Sequence, residues 1–467
     1  MTNSETYPAA DHHLSSLPLA PFESYMLADH RDDYPMHFYF RLVLQGNVRR
    51  QLFERSLAEA VGRHPLLRAR IRPRFSRSPV WEHQGDVFLR EASRDFSDLS
   101  EVQQAPPIDL TSESGLRTWL FSGPAETELL FEFHHSCCDG LGALVFLEDV
   151  LVVYDRNVIG TAPGEDIVHK SQLSSRAKIP LSRGQALRKL PLDLKEFLRV
   201  AARPPAIIQD GIEESAVGRQ QLSAFLSHHF APAETNALLA TAREQDTTLN
   251  NLLLAHVYRA VDQWMCQTGD TTDRWIRLGV PASTRNADWD AKSCCNQVSI
   301  MFLDQHSSRI RQPESLVDEV TRLTRFHRKS NIWYSLLQTV GLLAAVPPLL
   351  RFYLQKNRRM CTSIVSNVGP VFESCPLSRD DNGRRIVGNL QLSSLDFLVP
   401  LRPGTHVTFG VATCDGVLNV CMHYKPQQIG TSQARRLLDQ LVSNVTGVTP
   451  QESSPPKPLP PGCTIPR

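Results

Sequence analysis

The residues best suited to chemistry lie close together, within residues 131–140. This stretch holds two adjacent histidines, two cysteines and an aspartate. A neutral imidazole accepts a proton at neutral pH, so a histidine here could act as a general base. Adjacent residues that leave a strand point in different directions, so only one of His134 and His135 can face a channel. Without further context, such a histidine pair is more often structural than catalytic.

Two other kinds of chemistry are conceivable for the same stretch. The two histidines with Cys137 and Cys138 could bind zinc, but four ligands within five residues cannot easily surround one tetrahedral ion. Cys138 could act as a thiolate nucleophile, but the sequence shows no separate activating environment for it. We therefore predict neither a metal site nor a catalytic cysteine.

The chemical stretch lies between a predicted strand and a predicted helix. The apolar run at residues 128–133 predicts a buried strand, and apolar residues at helical spacing predict a helix at 141–154. Upstream, β-forming residues predict a strand at 36–45, and helical spacing predicts a helix at 49–63. Residues 66–71 are predicted to form another strand.

The rest of the chain divides in two by its periodicity. Residues 161–220 are rich in proline and charge and poor in periodicity, so we predict a crossover linker there. Beyond it, alternating and helical patterns predict a second set of strands and helices. They are strands at 222–230, 276–280 and 297–303, helices at 232–244 and 249–265, a hairpin around Asp415-Gly416, and a last helix at 432–442 with Ser432 as its N-cap.

The pattern His-His-x-x-x-Asp-Gly at residues 134–140 resembles the signature of an acyltransferase superfamily. That superfamily includes chloramphenicol acetyltransferase, the plant BAHD enzymes, peptide-synthetase condensation domains and wax ester synthases. Further segments resemble the wax ester synthase/diacylglycerol acyltransferase and alcohol acyltransferase branches, in the right order. They are residues 19–45, 64–68, 108–117, 248–255, 279–285 and 366–370. Two features depart from the pattern: the plant Asp-Phe-Gly-Trp-Gly element is absent, and residues 367–370 differ from the wax ester synthase form.

The resemblance implies an α/β protein of two chloramphenicol acetyltransferase-like lobes. Each lobe would be a mixed β-sheet with flanking helices, and an active-site channel would lie between them. We assign residues 17–160, with the motif, to the N-terminal lobe, 161–220 to the crossover linker and 221–449 to the C-terminal lobe. Residues 1–16 are expected to be disordered, and so is the proline-rich tail at 450–467.

The resemblance also implies roles for single residues. His135 would be the general base, and His134 would be structural. Asp139 would point away from the histidine and pair with Arg285, which fixes the loop; alternatively, Arg285 is a surface charge. Gly140 would let the backbone turn tightly into the following helix.

A tetrahedral intermediate would also need donors for its oxyanion. Candidates are the main-chain N–H near Gly140 and the residues Ser366 and Asn367, which would line the channel. Serine and asparagine favour turns in any case, so these two residues could equally be ordinary loop residues.

The implied reaction is acyl transfer from a thioester to a hydroxyl acceptor, without a bound cofactor. Acyl-CoA is the expected co-substrate, and an acyl-carrier thioester is the other candidate. The first alternative is therefore a stand-alone condensation-type enzyme that uses an acyl carrier protein as partner and forms an amide or ester. The second is a non-catalytic binding scaffold, against which the intact His135, Asp139, Gly140 and Arg285 argue. The acceptor would be a small or lipid-like molecule.

The composition of the chain limits its partners and its location. The 467 residues carry a formal net charge of +1, which gives no electrostatic reason to expect nucleic acid as the main partner. The ten cysteines include the adjacent pairs Cys137-Cys138 and Cys294-Cys295 and fit reduced thiols. The polar, acidic N-terminus lacks the pattern of a secretion signal, so we predict a cytoplasmic location.

Residues 331–350 contain no charged side chain and are about long enough to span a bilayer. Gln338 and the break at Pro347-Pro348 argue against a span, so we predict a buried helix. The alternatives are a true span and a helix that touches lipid, next to four basic residues: Arg351, Lys356, Arg358 and Arg359. We expect peripheral membrane contact at most.

Overall fold

The computed structural model describes residues 17–74, 77–83, 85–92, 99, 102–123, 125–161, 173, 176, 183–210, 223–285, 293–355 and 359–447. The predictions for residues 1–16 and 450–467, and parts of the predicted linker, lie outside the described residues.

Strands and helices are interspersed along the chain. The strands are β1 (Leu17–Pro18), β2 (His37–Gln45), β3 (Ala69–Arg74), β4 (Arg77–His83), β5 (Leu89–Ala92), β6 (Leu116–Ser122), β7 (Glu126–His134), β8 (Ala224–Phe230), β9 (Trp275–Ser283), β10 (Val298–His306), β11 (Ser363–Pro370), β12 (Ile386–Val387), β13 (Leu390–Leu398), β14 (Val407–Cys414) and β15 (Val417–Tyr424). The helices are α1 (Pro21–Asp29), α2 (Arg50–Arg63), α3 (Pro65–Arg68), α4 (Gly140–Ile159), α5 (Arg183–Ala202), α6 (Pro232–Glu244), α7 (Leu249–Gln267), α8 (Ser307–Ile310), α9 (Pro313–Lys329), α10 (Trp333–Ala344), α11 (Pro347–Gln355) and α12 (Thr431–Thr446).

Two six-stranded sheets form the centres of two lobes. The N-terminal sheet has the spatial order β12-β13-β2-β7-β6-β5, and the C-terminal sheet has the order β10-β9-β11-β14-β15-β8. Each combines antiparallel pairs with parallel ones, β5–β6 in the first sheet and β11–β14 and β11–β9 in the second. The predicted α/β fold of two lobes with mixed sheets is confirmed.

Helices cover each sheet with apolar side chains, because each sheet face must be removed from water. In the N-terminal lobe, α2 and α4 contact each other and bury Phe53 and Phe146 in the core. In the C-terminal lobe, α7 and α12 do the same with Tyr258 and Leu438.

β12 and β13 correct the predicted lobe boundaries. Residues 221–449 were assigned to the C-terminal lobe, but β13 pairs with β2 of the N-terminal sheet. The chain therefore leaves the second lobe after β11, completes the first sheet, and returns for β14. The physical reason is that β2 pairs with β7 along one edge only. β13 pairs with the other edge and satisfies the backbone groups that would otherwise be left without partners.

The predicted hairpin is confirmed at β14 and β15. The two turn residues, Asp415 and Gly416, both have positive φ angles, 48° and 78°. A type I′ turn requires positive φ at both positions, which is why Asp-Gly is favoured there.

Three local predictions need correction. Residues 66–68 belong to α3, which opens with Pro65 at its first position, and the strand begins only at Ala69. The predicted linker contains α5, although Pro191 lies inside this helix; an ion pair between Lys189 and Asp193 (3.4 Å) supports the turn around the proline. The N-cap of α12 is Gly430 and not Ser432.

Residues 331–350 contain all of α10 and the first four residues of α11, rather than one helix, because Pro347 begins a new helix. The inner face of α10 packs on α1, where Val340 is 3% exposed. On the outer face Leu342 is 76% exposed, so the prediction of a buried helix is wrong for that face. Among the described residues, no helix is both long and apolar enough to cross a membrane.

Candidate active site

His135 lies in the turn that joins β7 to α4, and its backbone is held on both sides. Its N–H donates to the carbonyl oxygen of Met36 (2.7 Å), and its own carbonyl accepts from Nδ2 of Asn296 (2.8 Å). The imidazole packs against the ring of Phe38, with centroids 5.1 Å apart, and lies 6.4 Å from that of Phe22. These contacts fix the direction in which the imidazole points.

The imidazole of His135 lines a cavity of about 660 Å³ whose walls come from both lobes. One group of lining residues is apolar: Phe22, Tyr25, Met26, Phe38, Val298 and Ile300. Another group is polar: Asn250, Ser283, Arg285, Arg328, Ser366 and Asn367. The cavity can therefore hold a molecule with an apolar and a polar part beside the histidine.

Two opposing effects set the basicity of His135. Burial lowers its pKa, while the carbonyl oxygens of His135 and Cys138, the Asp139 carboxylate and the Asn296 side chain act in the other direction. The net result is a pKa below the ordinary value, so the imidazole is neutral at neutral pH. Nδ1 is buried and makes no well-aligned hydrogen bond with the described residues, which leaves Nε2 for the cavity.

His134 points away from the cavity and takes part in a buried network. Its Nδ1 accepts from the N–H of Ser136 (3.1 Å), so its proton lies on Nε2, which donates to Nδ1 of His30 (3.0 Å). Burial and the neighbouring histidines His37 and His30 hold its pKa well below the usual value. These contacts hold the end of β7 in place. Of the two histidines, His135 lines the cavity and His134 does not, as expected for adjacent residues that point in different directions.

Asp139 is the N-cap of α4, and its carboxylate is fully occupied by partners other than His135. Oδ1 accepts from the N–H of Gly142 (2.8 Å). Oδ2 accepts from Nη1 of Arg285 (2.8 Å) and from the N–H of Gln297 (2.8 Å). The predicted pairing of Asp139 with Arg285 is confirmed, and the carboxylate does not form a triad with the imidazole.

Arg285 is largely buried and links the motif turn at Asp139 to the segment around Cys295. Burial opposes its charge, but the Asp139 carboxylate outweighs this effect and raises the guanidinium pKa. Its Nη2 also donates to the carbonyl of Cys295 (2.9 Å). The alternative of a surface charge is therefore wrong: Arg285 ties the motif of the N-terminal lobe to the segment that precedes β10.

Gly140 is required for a different reason from the one expected. Its φ is not in the left-handed region, and it is the first residue of α4. A Cβ at this position would lie 3.1 Å from Cζ of Phe397 and 3.3 Å from Cγ1 of Val368. The limited space between α4 and strands β13 and β11, and not a tight turn, thus favours glycine.

Ser366 and Asn367 line the same cavity as His135. They lie on β11, whose pairing with β14 is interrupted by a bulge between Asn367 and Pro370. Nδ2 of Asn367 is the amide donor, since its Oδ1 accepts from the N–H of Gly369 (2.8 Å). Bulges re-aim side chains near functional sites, so both residues can present polar groups to the cavity.

Comparison with known proteins fits this geometry. Residues 24–172 match the family model described as "Condensation domain". The chain has a fold similar to the epimerization domain from the third module of tyrocidine synthetase B, with a TM-score of 0.66, 17% identity, and 93% of this chain and 97% of that one covered. The chain has the condensation-domain fold.

Two other solved structures share the condensation-domain fold. One is the trichothecene 15-O-acetyltransferase from Fusarium sporotrichioides, with a TM-score of 0.64, 12% identity and coverage of 92% of this chain and 94% of that chain. The other is the starter condensation domain of rhizomide synthetase, with a TM-score of 0.60, 16% identity and coverage of 94% and 97%. No curated protein sequence matches the chain.

In this condensation-domain fold, the cysteines of the motif face the interior. Cys137 and Cys138 are fully buried, and burial raises the pKa of the Cys138 thiol well above its usual value. A thiol with a raised pKa is a poor nucleophile, which argues against the cysteine alternative. Within the part of the chain that the structure describes, no group of three or more histidine, cysteine, aspartate or glutamate side chains could hold a metal ion.

Sequence reasoning missed Asn296 and Gln297. Nδ2 of Asn296 donates to the carbonyls of His135 and Ser136 (2.8 and 2.9 Å), and the Gln297 N–H donates to Asp139. Together they fasten the start of β10 to the motif turn. The available signal was the polar pair directly before an apolar strand, next to Cys294-Cys295.

Proposed function

We propose that this chain is an acyltransferase that moves an acyl group from acyl-CoA to a hydroxyl acceptor, with His135 as the general base. The observation that carries the proposal is the neutral imidazole of His135, held by its neighbours and directed with Nε2 into a cavity between two lobes. The condensation-domain fold supports the proposal, because acyl-group transfer is what the resemblance implies for it.

The chemistry then follows from the geometry. Nε2 of His135 removes the proton from the acceptor hydroxyl as its oxygen attacks the thioester carbonyl carbon. For this, the ring proton must lie on Nδ1, so that Nε2 is free to accept. The C–S bond breaks when the tetrahedral intermediate collapses, and the protonated imidazole returns its proton to the leaving thiolate. No acyl-enzyme intermediate is needed.

The negative charge on the carbonyl oxygen needs donors before the intermediate collapses. Ser366 and Asn367 line the cavity with His135 and are the candidates for this role. Asp139 and Arg285 would act as positioning residues, since their contacts with each other and with Gly142 hold the motif turn.

Two neighbours of the same fold support the choice of substrates. The solved starter condensation domain of rhizomide synthetase was in complex with C8-CoA and Leu-SNAC, and another neighbour is a 15-O-acetyltransferase. We therefore propose coenzyme A as the donor's carrier and a hydroxyl as the acceptor. Transfer from an acylated carrier protein to an amine is the competing outcome of the experiment below.

The experiment measures free thiol release together with product mass. Acyl-CoA substrates are offered with alcohols and amines, in parallel with an acylated carrier protein, and reactions without acceptor measure hydrolysis. Release that depends on acyl-CoA and an alcohol supports the proposal. Release only from the carrier protein favours the condensation-type alternative, and binding without any release favours a scaffold.

His135→Ala should reduce transfer by about two to four orders of magnitude while leaving the fold intact. The matched control is His306→Ala, since His306 is half-buried outside the cavity lining and contacts Ser308 (2.8 Å) and the ring of Trp275 (centroids 4.9 Å apart). The control should keep wild-type turnover. Near-wild-type transfer by purified, folded His135→Ala protein would rule out the general-base role.

A further inference from the structure

The first helix runs along the active-site cavity with one apolar face. Phe22, Tyr25 and Met26 all line the cavity, and they are 4%, 9% and 5% exposed. Asp29 follows on the same face, since residues at spacings of three, four and seven share one side of a helix. Phe22 lies next to the imidazole of His135, so the face leads away from the reacting centre.

A smaller cavity of about 60 Å³ lies beyond the large one and shares part of its lining. Tyr25, Ile300, Ile364 and Arg402 border both cavities. The small cavity is also lined by the inner face of α10, through Thr339, Val340 and Leu343, and by Asp29. The two spaces are therefore neighbours along α1, with these four side chains between them.

Tyr25 is held firmly in this partition. The guanidinium of Arg402 lies 5.3 Å from the centroid of the Tyr25 ring, and Nε of Arg402 is 2.6 Å from Oδ2 of Asp29. The Phe22 ring also stacks with the ring of Tyr25, with centroids 5.7 Å apart. The ring of Tyr25 thus cannot move aside without breaking a cation–π contact and an aromatic contact.

We propose that the apolar face of α1 is the acyl-chain subsite and that Tyr25 sets the longest chain it accepts. This inference rests on the proposed function. Phe22 and Tyr25 are three positions apart, about 4.5 Å of helix at 1.5 Å per residue, so an extended chain, which gains about 1.25 Å per carbon, has room for about four carbons before the ring. Asp29 lies four positions further on, about 6 Å more, which is room for about five additional carbons.

The acyl chain suits this end of the cavity better than the rest of the donor does. An acyl group ends in a methyl and has no polar handle, so it can occupy an apolar recess that ends at Tyr25. The pantetheine portion of the donor is polar and must continue to the surface. Asn250, Ser283 and Arg328 supply polar groups in another part of the cavity lining.

The test measures binding of S-alkyl-CoA thioethers, which cannot transfer an acyl group, by calorimetry. For the wild type, affinity should rise about three- to fourfold per methylene and stop rising at about four carbons. Tyr25→Ala should move this break upward by about five carbons. Tyr25→Phe should keep the wild-type break, because the ring and not the hydroxyl closes the recess.

Leu342→Ala is the matched control, because Leu342 lies on the exposed outer face of α10, and it should leave the break unchanged. If Tyr25→Ala does not fold, Tyr25→Leu should give a smaller shift in the same direction. An unchanged break in a folded variant overturns the subsite. A shift seen only with a series of 1-alkanols as acceptors would show that the recess holds the acceptor instead.

The same measurement on His135→Ala separates the two proposals, since thioether binding requires no turnover. A preserved break in that variant supports the subsite even where transfer by the wild type has failed. If no thioether binds to the wild type, both the subsite and coenzyme A as donor carrier are wrong.

Discussion

At the scale of single residues, His135 meets two opposing requirements. Its position in a protein cavity keeps it neutral, but the same burial makes it a weaker base. The carbonyl oxygens of His135 and Cys138 offset part of this loss. Because the imidazole is neutral, it can accept a proton at Nε2 without first losing one.

The lowered pKa of His135 predicts the pH profile of transfer. The neutral imidazole is the active form, so activity is lost as pH falls through the pKa of this group. Because that pKa is lowered, the acid limb of kcat/KM should have its midpoint below about 6.5, the ordinary value for histidine. The measurement is kcat/KM from about pH 4.5 to 9. A midpoint at or above the ordinary value would contradict this account of the base.

The ion pair between Asp139 and Arg285 predicts non-additive mutations. Asp139→Asn keeps a good N-cap but removes the negative charge, and Arg285→Ala leaves the Asp139 carboxylate buried without its cation. Each variant should lower the free energy of unfolding by up to about several kcal/mol, and each should also lower activity. The double variant should be less damaged than the sum of the two, with a coupling of about 1 kcal/mol or more. Thermal or urea unfolding of the four proteins gives the coupling. Additive losses would mean that the pair contributes nothing as a pair.

The site residues that sequence could predict are those inside the motif or in a matching segment. His135, Asp139 and Arg285 carry side-chain chemistry and stand at positions that the resemblance identifies. Asn296 and Gln297 could not be found in this way. Their contacts reach 161 and 158 residues along the chain, and the Gln297 contact is a backbone N–H, which any residue type could supply.

At the scale of elements, the first turn of α4 fixes the distance between motif and C-terminal lobe. Asp139 caps the helix, and Gly142 brings the helix backbone close to Cys295. A Cβ on Gly142 would lie 2.9 Å from the carbonyl oxygen of Cys295 and 3.0 Å from its nitrogen. Both of these atoms belong to the backbone of Cys295, which cannot move aside as the end of a flexible side chain can.

Gly142→Ala should therefore destabilise the protein, by about 1 to 3 kcal/mol, and lower the rate of transfer because His135 precedes this turn. Gly62→Ala is the matched control: this exposed glycine lies inside α2 and has no atom within 4 Å of an added Cβ. The control should gain about 0.5 to 1 kcal/mol, since alanine favours helix. Chemical unfolding of both variants tests the pair of predictions. Equal stability of Gly142→Ala and the wild type would contradict the close approach.

Most elements could be predicted from local patterns, and the exceptions have physical causes. Strands such as β2 and β7 and helices such as α2 and α6 have strong periodicity of their own. α5 could not be predicted because Pro191 indicates a break, while contacts with β10 sustain the helix: Arg199 Nη2 donates to the Phe302 carbonyl (2.7 Å). The pairing of β13 with β2 joins segments that no local pattern connects.

At the scale of the whole molecule, the chain crosses between the two lobes more than once. β13 belongs to the first sheet, although β11 before it and β14 after it belong to the second. The fully buried carboxylate of Asp396 on β13 pairs with Nη1 of Arg41 on β2 and with Nε2 of His229 on β8, each at 2.9 Å. One side chain thus ties a strand of each sheet to the other.

This arrangement predicts that the two lobes unfold together. Burial disfavours the charge on Asp396, but His229 and Arg41 outweigh this effect and lower its pKa. The contacts of Asp396 with these two residues therefore stabilise the folded state above the ordinary pKa range of aspartate, and this stabilisation is lost as pH falls.

Urea unfolding followed by tryptophan fluorescence and by circular dichroism should give one coincident transition. Asp396→Ala removes the carboxylate that Arg41 and His229 share, although Arg41 keeps its ion pair with Glu128 (2.8 Å). It should therefore lower that single transition by about 1 to 3 kcal/mol without splitting it. A fragment of residues 17–160 should fail to fold, since it lacks β12 and β13. Two separate transitions in the full chain, or a stable fragment, would show that the lobes are independent.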